Sequence, residues 1–522
     1  MKIFDRVQIN KPKKSAFDLS HERKFSMNMG DLVPVLCQEV LPGDSFRLNM
    51  EQLVRLQPML APMMHRVNVY THFFFVPNRL VWNDWEKFIT GGDKGTDTPV
   101  FPTFINNAAA IDMKNHARFK YGSLLDYMGF PVKQIHSSTL TNEVPNINFS
   151  QLPFRAYQLI YNEYYRDQNL ENPIDIFKGS GQAYWAGTAQ SVLLDLRKRA
   201  WEKDYFTSAL PYAQKGEALE LPLSGDASVY MDLGAQGRHD LIGYTTNGQT
   251  DVNVGLVGNA PKTIGVPLKA DLSSVNSATI NELRSAFQIQ KWLEKNARGG
   301  TRYIEQILSH FGVKSSDARL QRPEYLGGGK TPVTVSEVLQ MSATEETSPQ
   351  GNMAGHGLSV GSSHSFKRYF EEHGFIIGIM SVLPRTAYFQ GLPKMFTRND
   401  RFDYAWPEFA HLGEQEVKNE EVFFDLSDNV YNKGTFGYQP RYTEYRYIPD
   451  TVHGDFANSL KFWHMAREFS TRPALNSSFV KSDPTTRVFA VTDPAYPKLL
   501  VQTYANLQAI RTLPKYGNPG GI

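Results

Sequence analysis

The pentapeptide Gly357-Leu358-Ser359-Val360-Gly361 has the Gly-x-Ser-x-Gly spacing that presents a nucleophilic serine on a sharp strand-to-helix turn. That chemistry needs a buried strand before Ser359 and a helix after it. The flanks, GNMAGH and SSHSF, offer neither, so the segment reads as a flexible Gly/Ser loop. A second stretch, GGGKTP from Gly327 to Pro332, has the close of a phosphate-cradling loop. Glu324 stands where the first glycine of that motif is required, and Pro332 follows Thr331 directly, so a turn-rich loop is expected there as well. The 13 histidines lack the i, i+2 or i, i+4 spacing of compact zinc sites, and HExxH is absent. Hence no metal, no cofactor and no catalytic residue is assigned. A carboxylate pair for glycoside hydrolysis is a property of a fold rather than of a spacing, and stays open.

Chemistry of a different kind begins at the N-terminus. Between residues 1 and 25, Lys2, Arg6, Lys11, Lys13, Lys14, Arg23 and Lys24 meet only Asp5, Asp18 and Glu22, a local +4 against +2 for the whole chain of 522 residues. Such an arm can neutralise phosphates, and Phe4, Phe17 and Phe25 can stack on unpaired bases or pin the arm into a neighbouring subunit. With the remaining charges balanced, the chain is no general polyanion binder. One cysteine, Cys37, rules out an internal disulfide framework. The start has no apolar signal region and the run GFIIGIMSVL stops at Pro384, so neither secretion nor a membrane span is expected.

The elements that must position these groups read mainly as strands. VPVLCQEV runs into a Pro42-Gly43-Asp44 turn. In VNVYTHFFFV, Val67, Val69, Thr71, Phe73 and Phe75 point one way and Tyr70, Phe74 and Val76 the other, as in a strand covered on both faces. Further strands are expected at GFIIGIMSV, EVFFDL, RYTEYRYI and RVFAVTD. Trp82, Trp85 and Phe88 recur at helical spacing before Gly91-Gly92. Other helices are expected after Pro153, after Thr279 with Glu282 as a capping box, and through Ile304, Ile307, Leu308 and Phe311. Residues 215–280 hold only Tyr230 and Tyr244 as aromatics among nine glycines, with a net −3. Too poor in rings to anchor a core, this block is expected to be a surface excursion with small strands of its own. Strands spread so widely between long loops point to a sandwich or jelly roll.

Several blocks occur in an order that resembles a known family. SAFDLSHERKFS, EVLPGDSF, FFFVPNRLVWNDWEKF, ARGGTRYIEQILSHFGV, EHGFIIGIM and GYQPRYTEYRY look like the major capsid protein of microviruses, of the gokushovirus type, from about residue 15 to 522. The ending Arg511-Thr512-Leu513-Pro514 departs from the family's usual Arg-Pro-Met-Pro. The resemblance implies a mainly β fold, an eight-stranded antiparallel jelly roll with long inserted loops containing a few helices. It also implies a non-enzymatic role: about sixty copies, joined through pentamers, form a T=1 icosahedral shell in the virion around circular single-stranded DNA after assembly in the host cytoplasm. Implied partners are a small basic DNA-packing protein, an internal scaffolding protein, a pilot protein and a host surface receptor. The expected division is a basic arm at 1–25, a first core part at 26–214, a surface insertion at 215–280 that protrudes at the threefold axis and carries Tyr230 and Tyr244 toward the host, and a second core part with a C-terminal strap at 281–522. Phe73, Phe75, Trp82 and Trp85 are expected to fill the core or a subunit contact. The rival reading is a β-sandwich carbohydrate-binding or glycoside-hydrolysing protein, and a third is a trimeric host-recognition spike.

Overall fold

The computed structural model describes residues 14–105, 116–133, 148–216, 228–232, 238–244, 253–256, 268–271, 280–300, 302–339 and 353–516. Two compact units are present: Met1–Tyr212 with Gly300–Ile522, and Ala213–Gly299.

The frame of the first unit is built from β1 (Ser15–Asp18), β2 (His21–Met27), β3 (Val33–Val40), β4 (Ser45–Leu56), β5 (Val67–Pro77), β6 (Glu324–Pro332), β7 (Thr334–Leu339), β8 (Met353–Tyr369), β9 (Gly374–Pro384) and β10 (Leu499–Arg511). One antiparallel sheet has the order β1-β10-β4-β8-β7, and β2 lies end to end with β1 along the same edge of β10. The other sheet has the order β6-β5-β9-β3. From β3 to β6 successive frame strands either cross between the sheets or return to the same one through the long connection after β5.

Strict alternation on β4 turns Phe46, Leu48, Met50, Val54 and Leu56 inward and leaves Arg47, Glu51 and Arg55 in solvent. Those inward side chains share one hydrophobic cluster with Val67, Val69, Phe73 and Phe75 of β5, Met380 and Val382 of β9, and Leu507 and Ala509 of β10. The two sheets therefore close over a common core. The opposite face of β5 is equally buried. Phe74 and Val76, with Ile377 and Ile379 of β9, lie under a second cluster supplied by the connection after β5, including Trp82, Phe104, Phe119, Tyr157 and Trp185.

Helices in that connection follow the expected signals. Helix α1 (Trp85–Thr90) ends at Gly91, whose φ of 77° is the left-handed cap that glycine adopts freely. Trp82 precedes α1 instead of belonging to it. Helix α2 (Leu152–Ile160), with Pro153 in its first turn, buries Arg155 completely. The guanidinium of Arg155 donates to the Gln151 side-chain oxygen and to the carbonyls of Val81 and Gly179, so a charge costly to bury is satisfied by the loops it ties together.

Two expected loops prove to be frame strands. GGGKTP lies in β6, paired with β5, and GLSVG lies in the middle of β8, paired with β4 and β7. Their glycines answer a demand for close approach rather than for turning. A Cβ on Gly328 would meet the Thr71 carbonyl oxygen at 2.3 Å, and one on Gly355, in the flank of GLSVG within β8, the Ala61 carbonyl oxygen at 2.5 Å. Ser359 is buried and donates its hydroxyl to the Pro332 carbonyl at 2.9 Å, which excludes the nucleophile reading.

Three expected strands are not strands. EVFFDL begins in the short helix Asn419–Val422, RYTEYRYI holds a 3-10 turn at Thr443–Tyr445, and RVFAVTD is irregular apart from a bridge between Phe489 and Met59. Their β-type residues serve as anchors: Val422 and Phe489 are buried, as is Val488. Local propensity yields here to packing.

In the second unit, four antiparallel strands stand in the order Asn253–Leu256, Arg238–Tyr244, Ser228–Asp232 and Leu268–Asp271. Helix α3 (Ile280–Gly299) belongs to the same unit. The fall in aromatic content ends at 280, whereas the unit extends through this helix, which restores rings with Phe287 and Trp292.

Replacing Gly328 by Ala tests β6 directly. Overpacking against the Thr71 carbonyl is expected to cost about 1–3 kcal/mol, read as a lowered denaturation midpoint, whereas a solvent loop would accept the change without loss.

Candidate assembly surface

The long connection from Arg385 to Lys498 shares a small core with the end of the connection after β5 before it reaches solvent. Tyr205, Phe206, Tyr388, Val417, Val422, Phe436, Phe479 and Val480 form that core. A buried carboxylate, Asp204, organises it: one oxygen accepts from the backbone N–H groups of Phe206 and Thr207 at 2.9 and 2.7 Å, and the other accepts from the hydroxyls of Thr386 and Tyr388. Burial first, then the neighbouring carboxylate, pushes the Tyr388 hydroxyl well above its ordinary pKa, so it remains a donor. Arg467 lies 4.0 Å over the Phe479 ring and 5.1 Å over Phe469, and donates to the Phe479 carbonyl at 2.8 Å.

From this base two apolar loops project into solvent. In the first, Met395, Phe396, Phe402, Tyr404, Trp406 and Leu412 are all exposed. Polar bonds fix the loop. Asp403 accepts from the backbone N–H groups of Asn399 and Asp400 at 2.8 and 2.9 Å, and the Trp406 indole donates to the Arg401 carbonyl at 2.9 Å. Arg398 lies 4.4 Å over the Tyr445 ring and 5.4 Å over Tyr404, and pairs with Glu444 at 3.4 Å.

In the second loop Leu426 and Val430 are 93% and 86% exposed. Arg472 clamps the turn between Asp425 at 2.7 Å and Asp428 at 3.0 Å, and Asp428 caps the helix Asn429–Lys433. The Ser427 hydroxyl and backbone N–H, together with Arg472, pull the Asp425 carboxyl down to about 2. Ile448, farther along, is 82% exposed. Fully covering such a side chain contributes about 1.5–3 kcal/mol, and a loop already held in place loses little entropy when it is covered. Ordered, apolar and uncovered, these loops can do one thing well: meet another protein surface.

The residues singled out from sequence lie mostly elsewhere. Phe73 and Phe75 are in the sandwich core, and Trp82 is wholly buried with its indole N–H donating to Ser180 at 2.8 Å. Trp85 is half-buried, edge-on to Trp82 with ring centroids 6.1 Å apart. Lys2, Arg6, Lys11 and Lys13 lie outside the described residues. Lys14 donates to the Gly43 carbonyl at 2.8 Å, Lys24 pairs with Glu22 at 3.0 Å, and Arg23 spends its guanidinium on the carbonyls of Tyr127 and Pro34. The described end of the arm is thus an edge of the chain's own sheet, and Phe25 packs edge-on against Tyr127 there. Tyr230 and Tyr244 sit in paired strands of the second unit, Tyr230 opposite Asp240 and Lys269, and Tyr244 opposite Asn253. Sequence reading missed the loop from Met395 to Leu412. Its signal was a concentration of rings with neither a 2-residue nor a 3.6-residue period.

Among the described residues, no group of three His, Cys, Asp or Glu side chains is placed to hold a metal ion, and no helix is long and apolar enough to cross a membrane. A profile of the family described as "Capsid protein (F protein)" matches residues 5–521. The chain belongs to the phage F capsid protein family. The capsid protein VP1 of Chlamydia phage 1 is 36% identical over 99% of this chain and 97% of its own length. VP1 of Bdellovibrio phage phiMH2K is 38% identical, covering 97% and 95%, and VP1 of Spiroplasma virus 4 is 31% identical, covering 99% and 97%. As a phage capsid protein the chain is a structural, non-catalytic component of the virion, and loops that are apolar yet ordered are what a capsid subunit needs.

Arg398→Ala tests whether the first capsid loop is held as described. Loss of the charge-assisted bond to Glu444 and of two ring contacts is expected to remove about 1–3 kcal/mol of local order. Chymotryptic cleavage after Phe402, Tyr404 or Trp406 should rise several-fold while the main unfolding midpoint hardly moves.

Proposed function

We propose that the capsid protein closes a T=1 icosahedral shell of about sixty copies, joined through pentamers, around circular single-stranded DNA. The observation that carries this reading is the pair of apolar loops held rigidly in solvent on a subunit whose own cores are already complete. Within the sandwich, one sheet holds the order β2-β10-β4-β8 and the other β3-β9-β5-β6, and this supports reading these eight strands as a jelly roll to which β1 and β7 are added. A formal +2 per chain is far below the charge of a genome that carries one phosphate per nucleotide. A small basic packing protein or cations must supply the balance, and an internal scaffolding protein and a pilot protein complete the proposed partners. The unit Ala213–Gly299, inserted between two parts of the frame, is proposed as the protrusion that reads the host surface.

Electron microscopy of the purified chain is expected to show uniform closed particles; a monomer at high concentration would overturn the reading. Leu426→Asp with Val430→Asp should lower particle yield at least tenfold while leaving the circular dichroism of the subunit unchanged. Deleting residues 220–275 should spare particles and abolish attachment to host cells, and unchanged attachment would remove the insertion from that role.

A further inference from the structure

The solvent face of the six-stranded sheet carries a pattern that its own stability does not require. Register places Lys367 of β8 directly opposite Arg47 of β4, and Arg47 directly opposite Gln508 of β10. Like charges facing each other across a sheet are destabilising. Nearby ion pairs go elsewhere, Arg368 to Glu324 and Arg511 to Asp44, and neither Arg47 nor Lys367 meets a carboxylate among the described residues. The next row across the same strands is Ser365, Asn49 and Asn506. Together these two rows line an open recess of about 750 Å³, within the size range of small-ligand sites.

Exposed rings stand at both ends of the recess. Tyr369 pairs with Ser45, one row before Arg47, and Tyr504 pairs with Glu51, one row beyond Asn49. Six residues of strand separate the two rows, roughly 20 Å, which accommodates a few nucleotides. Lys14, the described end of the basic arm, lies 5.1 Å over the Tyr369 ring. The flanking carboxylates are Asp18, already accepting from Gln508 at 3.0 Å, and Glu51 and Glu22 on either side of Tyr504, Glu22 paired with Lys24, so the path for an anion runs over Arg47 and Lys367.

We propose that this face holds a segment of single-stranded DNA. Phosphates lie over the facing pair Arg47 and Lys367, the amides of Asn49 and Asn506 bond to whatever base edge is presented, and bases stack on Tyr369 and Tyr504. Cations, amides and rings in that arrangement suit an unpaired strand and read no sequence. An acidic peptide would use the cations and leave the rings idle. The inference deepens the shell reading by assigning the surface of the subunit that faces the genome.

The test uses the full-length chain carrying Leu426→Asp and Val430→Asp, which keeps this face open, and a fluorescein-labelled oligo-dT, with anisotropy followed across a salt series. Arg47→Gln with Lys367→Gln is expected to weaken binding at least tenfold and to flatten the slope of log K against log salt by about 1.4, two contacts at about 0.7 each for single strands. Lys87→Gln with Lys120→Gln removes the same charge from exposed positions off this face and should change neither quantity. If the double variant proves unstable, Lys367→Gln alone should flatten the slope by about 0.7. Tyr369→Ala should weaken oligo-dT and leave the salt slope intact. Unchanged affinity and slope in the first variant, equal losses in the control, or displacement of oligo-dT by polyglutamate at equal affinity would each overturn the assignment. Particles counted by microscopy in the chain without the loop substitutions keep the two readings apart: without particles the shell reading fails while the binding curves still decide this one.

Discussion

Everything in this subunit follows from one sheet that has to be dry on both sides. β5 alternates large apolar residues toward two cores, and β9 beside it does the same through Ile376, Met380 and Val382 on one face and Ile377 and Ile379 on the other. The six-stranded sheet seals the first face. Only the chain's own long connections can seal the second, so the segment after β5 must return as a layer of rings, with Arg155 and Trp82 bonded to the backbone and side chains that carry it. Burying polar groups at that depth is tolerable because each finds a partner.

A connection committed to covering its own sheet has to be ordered, and order propagates outward. The segment between β9 and β10 acquires a core around Asp204 and Arg467, and from it the loops at Met395–Leu412 and around Leu426 are held out in fixed positions. Rigid apolar protrusions are a liability on a solitary molecule and an advantage on one that meets copies of itself. The family to which the chain belongs gives that surface its purpose.

How far the sequence revealed this depended on whether a residue's role was local. Strands β3, β5 and β9 were legible because their alternation or apolar run is the cause of their burial, and the helices Leu152–Ile160, Ile280–Gly299 and Tyr303–Phe311 because apolar periodicity is a short-range signal, Thr279, the expected cap of the second, lying outside the described residues. β6 and β8 were misread because their glycines report distances to Thr71 and Ala61, contacts with segments far away in the chain. The same limit made EVFFDL and RVFAVTD look like strands when their apolar residues are anchors for irregular backbone. In the candidate site, the basic arm was visible as composition, yet Arg23 turns inward to two carbonyls. The exposed ring loop and the cation pair on the six-stranded sheet emerge only from tertiary placement and cross-strand register.

The position of β10 has a consequence for timing. This strand, the last of the frame in chain order, lies between β4 and the two N-terminal frame strands, so β1 and β2 lack their partner until β10 has emerged. Nascent chains on a crowded polysome therefore lack a finished sandwich, and with it the platform that would let neighbours associate prematurely. Emergence of β10 becomes the licence for oligomerisation.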